Sequence, residues 1–99
     1  MKDVKVIIRY EAQEGMADTA ARELRELVSL VVEKEADCLG IEILQDTSDA
    51  NRFLLHERWT SKEAYLGEHM QTPYILSFRD RAVEIFTGPP EITFWSSVA

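Results

Sequence analysis

Positive charge is scarce in this chain. Eleven Lys and Arg stand against 18 Asp and Glu, a formal charge of −7 with both histidines neutral. A nucleic-acid binder needs a basic face to displace counterions, and docking on anionic lipid needs one too, so the balance argues against both partners. Cysteine is nearly absent. Cys38 stands alone, which excludes an intramolecular disulfide and a Cys-based zinc site and leaves a small buried hydrophobe as its reading. The two histidines, His56 and His69, fall on different segments with no clustered carboxylates, so no metal-ligand spacing exists. The four glycines are scattered and make neither a G-x-G-x-x-G nor a Walker loop, and no G-x-S-x-G elbow occurs. No apolar run approaches the roughly 18 residues of a membrane span. Met1-Lys2-Asp3-Val4 opens a short strand-like run without the apolar core and cleavage site of a signal peptide, so the expected location is the cytoplasm.

What is present reads as one domain, residues 1–99, with an ordinary apolar fraction of 45%. Val4 to Tyr10 alternates: Val4, Val6, Ile8 and Tyr10 share one face, while Lys5, Ile7, Arg9 and Glu11 share the other, as in a strand. Met16 to Ala36 carries Ala20, Leu24, Leu27, Val28 and Val31 at helical spacing. Leu39–Gln45 and Arg52–Thr60 read as strands joined by the polar turn 46–51, hence as a hairpin. Thr60 followed by Glu63 suggests a capping box opening a short helix from Ser61 to about His69. Thr72-Pro73 predicts a second helix start, with a stripe of Tyr74, Phe78, Ala82, Ile85 and Phe86 and a stop at Gly88. Ile92–Val98 is a last strand. The order gives an α+β fold, ferredoxin-like βαββαβ, with helices on one face of a four-stranded antiparallel sheet. That plan hosts many functions and selects none.

Strand three holds the chemistry. Phe53, Leu55, Glu57 and Trp59 share a face, so Glu57 is a carboxylate on an apolar surface and must find a hydrogen-bond partner or raise its pKa. It is either a structural acid or a pocket group that orients a partner such as His69. His69 lies between the two helix starts, where a chain reversal aims it at the sheet beside Tyr74 and Phe78. A histidine in an aromatic pocket suits a general base; the alternative is a histidine bonded to backbone at a helix end. His56, on the opposite face from Glu57, reads as surface or interface.

The run Phe53-Leu54-Leu55-His56-Glu57-Arg58-Trp59, then Ser61 to Ala64, then His69-Met70-Gln71-Thr72-Pro73-Tyr74 and Phe78, resembles the antibiotic biosynthesis monooxygenase (ABM) superfamily over nearly the whole chain. The resemblance implies a homodimer in which two sheets pack as a dimeric α/β barrel. It also implies a small-molecule pocket between sheet and helices, and it makes Ile92, Phe94 and Trp95 candidate dimer residues. Some members oxidise quinols or aromatic polyketides with dioxygen and without metal or flavin, so no cofactor is implied. Haem degradation, another activity of the superfamily, uses an Asn on the first strand, but Asn51 in the hairpin loop is the only asparagine here. Glu35-Ala36-Asp37-Cys38 departs from the E-x-G-C of many members. Arg52-Phe53, the His69-to-Tyr74 run and Thr87-Gly88-Pro89 resemble an isomerase of a phosphorylated autoinducer-2 product, whose phosphate would draw on Arg9, Arg58 or Arg79.

The first expectation is therefore a cofactor-independent monooxygenase of a small phenolic or quinol substrate. His69 acts as base or as a substrate-orienting group, Glu57 holds it, and Trp59, Tyr74, Phe78 and Arg9 contact substrate. The alternatives are an isomerase of a small phosphorylated ketone and a non-catalytic dimeric binding protein.

Overall fold

The computed structural model describes residues 3–99; Met1 and Lys2, part of the N-terminal run read above, lie outside it. Strand β1 (Val4–Glu11) is followed by helix α1 (Ala17–Lys34), strands β2 (Cys38–Gln45) and β3 (Arg52–Trp59), short helix α2 (Lys62–Leu66), a 3-10 turn (Glu68–Gln71), helix α3 (Pro73–Ile85) and strand β4 (Glu91–Trp95). The sheet is antiparallel with order β2-β3-β1-β4, the ferredoxin-like arrangement expected from the element order.

Alternation does the sorting. Val6 pairs with Glu57 and Phe94, and Ile8 pairs with Leu55 and Ile92, so these side chains share the face that the helices cover. From above, α1 contributes Ala20, Leu24, Leu27 and Val31, all buried, at the spacing its stripe predicts. Ile92 and Phe94, partly buried, pack against the core on the face the helices cover, and Trp95 points to the other face, 56% exposed.

Local chemistry sets the turns. Gly15 sits at φ +81°, a conformation that suits glycine, just before α1. The expected helix over residues 61–69 is broken at Gly67. A Cβ there would meet the Glu63 carbonyl oxygen at 2.9 Å, and the chain continues into the 3-10 turn that carries His69. The cap of α2 is Ser61, whose Oγ accepts from the Ala64 amide at 3.0 Å, and not Thr60. Thr60 is tied elsewhere, donating its hydroxyl to Asp37 Oδ1 at 2.9 Å and its amide to the Asp37 carbonyl at 3.0 Å. Thr72 caps α3 and Pro73 opens it, as expected. That helix ends at Ile85, before the expected stop at Gly88. Phe86 turns extended and bridges Ala12, and the Gln13 amide, just past β1, donates to the Ile85 carbonyl at 2.8 Å, so the chain after β1 supplies a donor that a glycine cap would otherwise supply.

The capping assignment is testable. Ser61→Ala should cost about 1 kcal/mol in urea unfolding. Thr60→Ala, which removes one exposed bond, should cost less than half of that. Equal costs would contradict the assignment.

Candidate active site

Two buried titratable groups anchor the site, each about 4% exposed: Glu57 on β3 and His69 in the 3-10 turn. Glu57 faces Val6 across one strand boundary and Ile41 across the other, so its neighbours in the sheet offer it no polar group. Its partner is two residues away on the same strand face. Trp59 Nε1–H donates to Glu57 Oε1 at 2.8 Å. Burial pushes the carboxyl up to about 7, against the pull of the Trp59 bond and with a further push from the charge of Glu35.

Glu57 does not hold His69. That role falls to Glu35, the residue that closes α1: His69 Nδ1–H donates to Glu35 Oε2 at 2.8 Å, and the Tyr74 hydroxyl donates to the same oxygen at 2.5 Å. An acid at a helix C-terminus faces the negative end of the helix dipole, and two donors on one oxygen offset that cost. Burial and then the Glu35 bond push the Tyr74 phenol up to about 12. With Nδ1 donating to a carboxylate, a neutral His69 keeps Nε2 as an acceptor. Thr72 fixes the turn beneath it. Its hydroxyl donates to the His69 carbonyl at 2.9 Å and accepts from the Ile75 amide at 3.4 Å, which gives the His69-x-x-Thr72-Pro73 run its structural reason. The Trp59 and Tyr65 rings pack close to the imidazole in tilted contacts, with centroids at 4.6 and 5.1 Å.

Beside this cluster lies a cavity of about 600 Å³ between sheet and helices. Tyr10 and Ile92 form its floor, Phe78 and Arg79 of α3 one wall, Leu27 of α1 another, and Tyr65 the side toward Trp59 and His69. Tyr65 thus touches both the cavity and the buried cluster. No side-chain nitrogen or oxygen among the described residues is both buried and unpartnered, and neither Glu57 Oε2 nor His69 Nε2 bonds to a described residue. Both atoms therefore retain contact with open space.

Of the candidate site residues singled out in the sequence, Phe78 and Arg79 line the cavity. Glu57, Trp59 and His69 form the buried cluster next to it, and Tyr74 is turned to Glu35. Arg9 does not reach the cavity: it lies on the opposite sheet face and pairs with Glu91 at 3.2 Å. Arg58 also projects from that face, in register with Lys5, and is exposed. Sequence reasoning missed Glu35, Tyr10 and Tyr65. The one local signal was Glu35 itself, an acid where a helix end prefers a base.

A model of the antibiotic biosynthesis monooxygenase family matches residues 3–81, and the chain belongs to that family. It is 31% identical to the uncharacterized Synechocystis protein sll1783 over 61 residues, 62% of this chain and 41% of that protein. It is 27% identical to the uncharacterized Mycobacterium tuberculosis protein Rv2557 over 89 residues, 90% of this chain and 38% of that protein. The chain thus spans about two-fifths of the length of the curated relatives it matches. The crystal structure of PA3566 from Pseudomonas aeruginosa superposes with a TM-score of 0.89 at 28% identity, covering 100% of this chain and 97% of that one.

The raised Glu57 carboxyl has a consequence for stability. Between about 4.5 and 7 the folded state binds more protons than the unfolded, so this group's contribution is full below that window and is lost as pH rises through it. Glu57→Gln keeps an acceptor for Trp59 and removes the titration. At pH 8 the variant should be more stable than the parent by on the order of 2 kcal/mol in urea unfolding, with the gap closing toward pH 5. A gap that does not change with pH would contradict the shift.

Proposed function

We propose that the protein is a cofactor-independent monooxygenase of a small phenolic or quinol substrate. The observation that carries this reading is the apolar, aromatic-walled cavity set against a buried acid–base cluster. The cavity that Tyr10, Phe78 and Tyr65 line has room for a flat ring, and its apolar wall excludes the water that would otherwise solvate an electron-rich phenolate. Glu57 takes the phenolic proton: a carboxyl near 7 is matched to a general base at neutral pH. Burial raises both wall phenols, Tyr10 and Tyr65, and the charge of Glu57 adds to the rise. His69, held by Glu35 and Tyr74, offers Nε2 as the second acceptor. The phenolate then reduces dioxygen. One oxygen atom enters the ring carbon, the other leaves as water, and all four electrons come from the substrate.

The isomerase of a phosphorylated ketone is the weaker reading, because two of the three arginines it would use, Arg9 and Arg58, lie on the far side of the sheet. Homodimerisation through that far side is part of the proposal. Leu44 and Trp95, 42% and 56% exposed, stand there with Ile7 and Leu54, and a second copy of this sheet would cover them.

Oxygen uptake by the purified protein on hydroquinones and naphthols, corrected for autoxidation, tests the reading. Uptake above the control is expected, with one atom of labelled dioxygen in the product. Glu57→Gln should lower kcat at least 100-fold and His69→Ala at least 10-fold, both with unchanged circular dichroism. Uptake unaffected by both variants, or none across the panel, would contradict it.

A further inference from the structure

We propose that the cavity takes a planar aromatic molecule bearing an anionic group, a carboxylate or a phosphate ester, and that Arg79 binds that group. The proposal rests on the cavity being the substrate site and names the class of substrate it admits.

Among the described residues Arg79 is the only charged one that lines the cavity, in a chain with 18 acidic residues, none of which lines it. Its position is set by the helix. Ile75, Phe78, Arg79, Ala82 and Val83 recur at i, i+3, i+4, i+7 and i+8 along α3, and all five line the cavity, so Arg79 interrupts an apolar stripe. Of the other six arginines, two are matched with acids, Arg81 with Glu23 and Arg9 with Glu91; Arg22, Arg25, Arg52 and Arg58 are unpaired among the described residues but do not line the cavity. Arg79 has no acid within 4.0 Å among the described residues, and its one side-chain hydrogen-bond partner is the weakly accepting Met70 Sδ, 3.8 Å from Nη2.

The charge is felt inside. Arg79 acts on both Tyr10 and Tyr65, in the opposite sense to Glu57. A ligand whose hydroxyl lies toward Glu57 and whose anionic group lies toward exposed Arg79 satisfies both. A guanidinium fork suits either oxyanion. The remaining wall is apolar or neutral, so selectivity between a neutral ring and its anionic counterpart rests on this one side chain.

Calorimetric binding under argon, at pH 7.5 and 50 mM salt, separates this from the oxygenase reading because no turnover is involved. The probes are 2-naphthol, 6-hydroxy-2-naphthoate and 2-naphthyl phosphate. At least one anionic probe should bind about 10-fold more tightly than 2-naphthol, and the tighter of the two names the group. Arg79→Gln should erase that preference and leave the 2-naphthol affinity within twofold; Arg79→Lys should keep part of it. Arg81→Gln, outside the cavity, should keep all of it, and 500 mM salt should narrow it. Equal affinities for all three probes in the parent protein, or a preference that survives Arg79→Gln, would overturn the proposal while leaving the cavity as a binding site. Failure of every probe to bind would overturn the cavity reading and this proposal together.

Discussion

Glu57 lies between Val6 and Ile41 on the covered side of the sheet, and taking its carboxylate out of water is the constraint the rest of the site answers to. A lone buried carboxylate is costly unless it is hydrogen-bonded or protonated. One donor, the Trp59 indole, meets part of that cost, and burial leaves the group near neutrality. An apolar residue at this position would pack at no such cost. A carboxyl that changes charge near pH 7 beside an aromatic cavity suits the general-base role proposed for it.

The neighbouring histidine is held by means that do not touch Glu57. Glu35 supplies the acceptor for Nδ1, Tyr74 shares it, and Thr72 closes the turn through the His69 carbonyl. The two acids are nevertheless linked, since the charge on Glu35 adds to the rise of Glu57. Tyr65, in contact with His69, Trp59 and the cavity, is where the two halves of the site meet.

The fold was legible because alternation and helical spacing are local. They put Glu57 and Trp59 on one face with Phe53 and Leu55, and they gave the order of strands and helices that the sheet bears out. The cap of α2 and the stop of α3 were misplaced because Thr60 and Phe86 are claimed by distant partners, Asp37 and Ala12. The pairing of His69 with Glu35 depends on where α1 ends in space, 34 positions earlier in the chain, and no spacing rule carries it. Arg9 is different. The same alternation that sets Tyr10 toward the helices sets Arg9 away from them, so its place was legible in the sequence. The position of Arg79 on the cavity-facing stripe of α3 follows from helical spacing, but which space that stripe faces depends on the packing of α3 over the sheet.

The most direct test of this account is the titration of Glu57 itself. In protein carrying carbon-13 at the glutamate side-chain carboxyls, the resonance that disappears in Glu57→Gln identifies the residue, and its shift can be followed from pH 4 to 9. The account predicts a midpoint near 7 for that resonance. A midpoint between 4 and 5, the range of a solvated glutamate, would contradict the claim that burial has poised this carboxyl for proton transfer.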